Sequence, residues 1–518
     1  MIKRVLCLIL IIAAVMSAPS CTFSFFDAKM ENPVGGTDGI YVEISEIMSN
    51  LNAEREAIAN EPRGYDGVEE FIKCDKSLYS LLTKEEIYAL CGKSDTSPDS
   101  IITYDDAVYD IDLFFRLLKL HYGAYYYFGG DDAFLPAKYE AIKKLENSAS
   151  ITRDMIAKAI LESISFAVDG HLAADGVSTA ENQRCWYAQE HQFLRDDGGF
   201  YKYINGEKWY ISEFSDDRIS MELSLNDMGE IIYSPVLVIK DGENAPKSFL
   251  TLENGGKIKY QTLKWEKIYH FWPLSDADYN FVQENGITYI SIRSFSRDYD
   301  DVLQTFINDA VTARESKCLI LDLRGNRGGL ASYPSKWITN FTGIKPSVWQ
   351  FQYDRYNSID FYRSGSELSD SEYCYYDVDV YEYDEKIIEN DIPIFVLIDG
   401  NTASSGEYAV EYLKTLQNVV VIGGVSRGCM LTVRDDFVLP RSGVEVSIGS
   451  EMNLFNNSIE NSDVAGIRPD IFCDTSNALP VVLKMIGIYG IADVDGLEKI
   501  AELSKKGKKG AETKNGGA

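Results

Sequence analysis

The 518-residue sequence predicts a multidomain protein of mixed α+β and α/β class, with a helical domain, a β-rich module and a layered α/β core in that order. Three observations lead there. Apolar residues recur at helical spacing between Asp105 and Val168. Alternating short segments with Asn-Gly and Gly-Gly turns fill 195–275. From 285 on, apolar strands alternate with helical patterns. A hydrophobic content of 45% supplies two or three ordinary cores for a chain of this length.

The N-terminus has Lys3 and Arg4 ahead of the apolar run Val5 to Val15, then small residues up to Cys21, the layout of a secretory signal peptide over 1–20. Ala18-Pro19-Ser20-Cys21 also resembles a bacterial lipoprotein box, although an aliphatic residue is usual where Ala18 stands. Lipidation of Cys21 would give an exported, membrane-anchored protein at the cell surface or in the periplasm; simple secretion is the alternative. Residues 21–102 hold polar, helix-compatible segments to which the sequence gives no task.

The helical domain, 103–180, shows apolar periodicity at Val108, Ile111, Phe114, Phe115 and Leu118 and again at Met155, Ile156, Ala159, Ile160 and Ile164. Gly170 in Asp169-Gly170-His171 is the expected helix stop. The β-rich module spans 190–278, with turns at Asn205-Gly206, Asp241-Gly242 and Asn254-Gly255-Gly256. The core, 284–490, begins with a strand at 287–292, a helix through Val302 to Ala310 and a strand at 318–321. It resumes with a strand at 392–398, a helix carrying Ala409 to Leu416 and a strand at 419–422. The Tyr- and Asp-rich stretch 350–385 reads as a surface hairpin, or as a wall over a cleft. Residues 500–518 form a flexible basic tail.

Eighty acidic against fifty basic residues give a net charge of -30, which repels phosphate backbones and anionic lipid heads. Nucleic acid is not expected as a partner. The cysteines beyond Cys7 and Cys21 number seven and show neither paired CxxC spacing nor a disulfide-staple pattern, so they read mostly as buried thiols, and no metal site is expected.

Hydrolytic chemistry has three candidate parts. A serine nucleophile needs a base and donors for an oxyanion. Ser404, in Asp399-Gly400-Asn401-Thr402-Ala403-Ser404-Ser405-Gly406-Glu407, sits where a strand meets a helix, facing unpaired backbone N–H groups; the plain alternative is an N-cap. Leu321-Asp322-Leu323-Arg324-Gly325-Asn326-Arg327-Gly328-Gly329 is an apolar strand entering a glycine-rich turn whose amides can converge on an anion; the alternative is a turn with a structural Asp–Arg pair. Among His121, His171, His191 and His270, His171 lies at the end of the helical domain, an accessible place for a base, where a loop histidine is otherwise incidental.

In order, the Asp322–Gly329 motif, the apolar strand with Thr402–Glu407, and Gly466-Ile467-Arg468-Pro469-Asp470 resemble the C-terminal processing (tail-specific) serine peptidases and their tricorn-like relatives, over about 105–480. The resemblance places the nucleophile at Ser404, with oxyanion donors at Gly328 or Gly329 and Ser405, and Glu407, Asp322 and Asn326 in support. The lysine base of the processing branch falls on Cys429, so that base is absent. The tricorn-like branch takes a histidine base from an Asp-Gly-His-Thr pattern, matched at three of four positions by Asp169-Gly170-His171-Leu172, and orients it with a glutamate before the Gly-Val-x-Pro-Asp motif, where Asp463, one methylene shorter, stands, or Glu460 as a fallback. The resemblance implies hydrolysis of peptide or polypeptide substrates through an acyl-enzyme, without cofactor, on a crotonase/Clp-protease-like ββα core, with the β-rich module where relatives carry a PDZ domain. Two rivals stand on the same scaffold: a non-catalytic ligand- or peptide-binding protein, and another acyl-transfer reaction.

Overall fold

The computed structural model describes residues 42–503, apart from 62–66, 73–77, 79–80, 94–95, 98–99, 181–182, 188–189, 241–242, 269–277, 366–367, 369–375, 384–385 and 456–457. The predicted leader with Cys21, the tail beyond 503 and His270 lie outside the described residues.

The core is built on strands that are predominantly apolar because both faces are covered. Ile287–Ile292, Cys318–Asp322, Ile394–Ile398 and Val419–Gly423 run parallel, and every residue in them is buried. The pleat sends alternate side chains to opposite faces. Leu319, Leu321, Val396 and Val421 pack with the helices Asp300–Ala313, Ser332–Thr342 and Ser405–Lys414. Ile320, Phe395, Val420 and Ile422 pack with Ala478–Ile488 on the other face.

That second face also receives Ile44–Ala59, which gives part of the unassigned 21–102 segment a task. Ile44, Ile47 and Met48 enter the apolar cluster. Arg55 bonds the Val419 carbonyl at 2.8 Å and the Asp470 carboxylate at 3.1 Å.

The β-rich region divides between two sheets. Leu194–Asp196, Gly199–Ile204, Glu207–Phe214, Phe249–Asn254 and Lys257–Thr262 form a five-stranded sheet. Its turn at Asn205-Gly206 has positive φ at both residues (53° and 80°), as a two-residue type I′ hairpin requires. Gln183–Tyr187, Ile219–Leu225 and Ile231–Lys240 instead join the core strands in one ten-stranded sheet, where Ser224 pairs with Phe472. The near-continuous apolar run Ile231–Lys240, buried along most of its length, explains why this part belongs to a covered sheet.

The helices Tyr104–His121 and Arg153–Ser163 start at the side-chain caps Thr103 and Thr152, with Asp131–Leu145 between them. The last helix ends at Ser163, well before Gly170. A turn closed by the Ala167 amide on the Ile164 carbonyl redirects the chain, so Val168–His171 run without helical structure. The helices share one apolar cluster with Phe351 and Tyr353 of Gln350–Asn357 and with Met452 and Leu454 of Glu451–Phe455. From the 350–385 stretch, Gln350–Asn357 pairs antiparallel with Tyr376–Tyr383 in a three-stranded sheet with Glu451–Phe455, and the helix Ser358–Arg363 follows the first of these strands. Cys318, Cys429 and Cys473 are buried free thiols. No helix among the described residues is long and apolar enough to cross a membrane.

At the end of Cys318–Asp322, the Asp322 carboxylate is fully buried between two guanidinium groups, Arg293 (3.0 Å) and Arg324 (2.6 Å), with the Tyr289 hydroxyl donating at 2.8 Å. Burial opposes its ionisation, but Arg293 and Arg324 outweigh it and hold the carboxyl below the usual carboxylate range. Arg324 also reaches the Thr475 carbonyl at 2.5 Å, tying this strand end to a later loop. Asp322→Ala leaves two buried guanidinium groups without their anion, and is expected to lower the unfolding free energy by about 3–5 kcal/mol in urea denaturation.

Candidate active site

Cys318–Asp322 and Ile394–Ile398 are neighbours in register, so the loops that follow them emerge side by side. Their backbones are joined directly. The Asp399 carboxylate accepts from Gly325 N–H (2.9 Å), and the Thr402 hydroxyl donates to the Leu323 carbonyl (3.0 Å). Ala403 N–H donates to the Asn326 carbonyl (2.9 Å), and the Ser405 hydroxyl to the Gly329 carbonyl (2.7 Å). Asp399 has no role in the sequence reading; Asp-Gly-Asn at the end of a strand is the turn signal that marks it.

Ser404 is the entry residue of the helix Ser405–Lys414 and has φ 53°, ψ -122°, a conformation that non-glycine residues rarely adopt. Such strain costs about 1–3 kcal/mol and persists only where the surroundings enforce it. Here Glu407 accepts the Ser404 N–H at 2.8 Å. Gly328, at φ 95°, lies so close that a Cβ there would fall 2.7 Å from the Ser404 Cβ. The sharp turn presents the Ser404 side chain to a cleft of about 620 Å³.

The same cleft is lined by His171, Gly329, Ser405, Thr432, Gln350 and Gln352, among others. His171 and Ser404, 233 positions apart in the chain, therefore face one cavity. No hydrogen bond joins their side chains among the described residues. Of the three amides named for an oxyanion, Gly328 N–H is already committed to the Asn326 side-chain oxygen at 2.9 Å. Gly329 and Ser405 both line the cleft, and neither amide donates a hydrogen bond within the protein among the described residues. Asn326 is buried, and its side chain also donates to the Ile292 carbonyl at 3.2 Å.

Asp463 is not on the imidazole. Its Oδ2 accepts the Gly170 amide at 2.8 Å, and its Oδ1 accepts those of Met430 (2.6 Å) and Leu431 (2.9 Å). The carboxylate is buried at the short helix Ser462–Ala465, and three backbone donors use both of its oxygens. It thus holds the backbone on either side of the imidazole. Glu460, the fallback, is exposed on the surface. His171 Nδ1 is buried with no hydrogen-bond partner, and Nε2 lies 3.5 Å from Cys429 Sγ. Burial lowers the His171 pKa, with Asp463 and the Thr432 carbonyl acting against the shift and Arg434 and Arg427 with it.

Asp169, present in the motif but given no role, proves central to the His171 loop. Fully buried, it accepts from His171 N–H (2.8 Å), the Tyr122 hydroxyl (2.7 Å) and the Thr432 hydroxyl (2.8 Å). Glu407 does the equivalent for the elbow. Besides Ser404 N–H, it accepts from the Ser426 hydroxyl (2.5 Å) and Gly428 N–H (2.9 Å). Burial, then repulsion from Asp463, pushes its carboxyl up to about 7.

A serine on a strained helix entry, two unspent amides and a histidine in one cleft are the layout of a serine-type hydrolase. Residues 286–472 match the model of peptidase family S41, and by class the chain is a serine-type peptidase. Among solved structures the chain is similar to mature CPAF, at 12% identity over 79% of this chain and 99% of that one, with a TM-score of 0.39. It is similar to the photosystem II D1 C-terminal processing protease at 13% identity over 72% and 94% of the two chains, with a TM-score of 0.34. For the tricorn protease the figures are 12%, 78% and 37%, with a TM-score of 0.33. No curated protein sequence matches the chain.

A folded-state pKa raised above the ordinary value means that the folded protein holds the Glu407 proton longer than the unfolded chain does. Stability from this group is then present below about pH 4.5 and declines as pH rises through about 7. Glu407→Gln removes that slope, but turns an amide NH2 toward donors now facing a carboxylate, at a cost of about 1–3 kcal/mol. Urea unfolding of both proteins across this range is expected to show a flatter pH dependence for the variant from a lower starting stability.

Proposed function

We propose that this protein is an exported serine peptidase in which Ser404 attacks the peptide carbonyl and His171 acts as general base. The observation that carries this reading is the shared cleft, which holds both side chains together with the unspent amides of Gly329 and Ser405. In the first step the Ser404 hydroxyl proton passes to His171 as Oγ bonds the carbonyl carbon. The negative charge that develops on the carbonyl oxygen is received by the two amides. Collapse breaks the C–N bond, and the amine leaves with the proton from His171. Water, activated by the same imidazole, then hydrolyses the acyl-enzyme. Asp463 acts on His171 through its field and through the backbone that it fixes. Export rests on the charged and apolar leader of the sequence, with Cys21 as the proposed lipidation point.

One observation favours the binding-protein rival: among the described residues no carboxylate hydrogen-bonds the ring of His171, whose Nε2 faces a thiol. A fluorophosphonate probe and casein digestion separate the two. The wild type is expected to be labelled and to cleave, and Ser404→Ala to do neither. His171→Ala is expected to lose about 10²–10⁴ in kcat, the share of a positioned base. Since burial keeps His171 neutral, the acid limb of kcat/KM is expected to fall below about pH 6.5, the ordinary histidine value. Absence of labelling in the folded wild type would leave ligand binding as the better reading, and labelling that survives Ser404→Ala would move the nucleophile elsewhere.

A further inference from the structure

We propose that Cys429 is the positioning residue for His171, its thiol setting the orientation and tautomer of the imidazole through the Sγ–Nε2 contact of 3.5 Å. This rests on the reading of His171 as the general base. Among the described residues, the Cys429 thiol is the one side chain within hydrogen-bonding distance of the ring; the Asp463 oxygens bond amides instead, and Nδ1 has no partner.

The surroundings are arranged around that contact. A Cβ on residue 170 would lie 2.4 Å from the Cys429 sulfur, so the thiol reaches its place only because glycine precedes His171. The backbone on both sides of Cys429 is clamped by carboxylates, Gly428 N–H on Glu407 at 2.9 Å and Met430 N–H on Asp463 at 2.6 Å. Cys429 itself is buried.

The chemistry of the pair excludes a second nucleophile. Burial pushes the Cys429 thiol well above its ordinary pKa, and Asp463, Glu407 and Asp169 push it further, against Arg427. The sulfur therefore stays a neutral S–H and forms no thiolate for attack. A neutral imidazole carries one N–H and one lone pair. For His171 to serve as base beside this neutral thiol, Nε2–H donates to sulfur, which leaves the unpartnered Nδ1 lone pair to take the Ser404 proton. The groups that face His171 from its neighbours are Asp463, Arg434, Arg427 and the Thr432 carbonyl, none of which is altered by Cys429→Ala itself.

The test uses the full chain with isotope-labelled histidine, the His171 signals being assigned by their loss in His171→Gln. Cys429→Ala is expected to move the His171 titration midpoint upward, toward about 6.5, as water enters beside the ring. Its kcat is expected to fall roughly tenfold with KM unchanged, a part of what a positioned base contributes. Cys429→Ser, which can bond Nε2 again, is expected to recover most of the loss. A Cys429→Ala protein in which His171 titrates as in wild type would overturn the proposal, as would a serine variant no better than alanine whose activity falls only in step with thermal stability. The NMR titration needs no turnover, so it stands apart from the peptidase reading: an inactive wild type with a shifted variant midpoint removes that reading and keeps this contact. An active wild type with an unmoved midpoint does the reverse.

Discussion

The site depends on the parallel pairing of Cys318–Asp322 with Ile394–Ile398. Parallel strands in register end at the same level, so the glycine-rich turn and the serine elbow leave the sheet together, and short hydrogen bonds suffice to join them. A backbone such as that of Ser404, which is unfavourable alone, is held by neighbours that are themselves held by the sheet. The Arg293–Asp322–Arg324 group at the base of the turn has the same effect. It fixes the point from which the turn departs, with charges too deeply buried to rearrange without large cost.

Around the imidazole the electrostatics follow a different plan from a histidine–carboxylate pair. Asp169, Glu407 and Asp463 are buried near one another, and each is spent on backbone amides or hydroxyls. Burial raises their pKa values, helped by repulsion from Asp463 at Glu407 and from Asp169 at Asp463, while burial lowers that of His171. The result is a rigid frame of hydrogen bonds around a neutral ring.

Much of the core was legible because its signals are local. All-apolar runs such as Ile394–Ile398 announce covered strands, and Ala409 and Leu413 show the buried stripe of the helix between them. The elbow was legible as an ordered motif, whereas its strain is not, since φ at Ser404 is imposed by Gly328 and Glu407 from outside the local sequence. The helix end was misplaced because Gly170 carries a helix-stop signal, although its need for glycine comes from Cys429, more than 250 residues away. The expected Asp463–His171 pair failed for a similar reason: spacing placed the carboxylate near the histidine, but the competition of three amides for its oxygens is a property of the folded backbone. The split of the β-rich region between two sheets was equally hidden, since strand alternation does not say which sheet a strand will join.

The ten-stranded sheet has a bearing on how a polypeptide could be admitted. Ile219–Leu225 and Ile231–Lys240 are woven into the same sheet as the core strands, and their inward side chains share one apolar cluster with Phe395 and Val420. A domain that swings like a door needs a seam crossed by few contacts. Here the Ser224–Phe472 pair and the shared apolar cluster join these strands to the core, so a swing would expose buried side chains, whereas 345–348 and 432–434 line the cleft from outside the sheet.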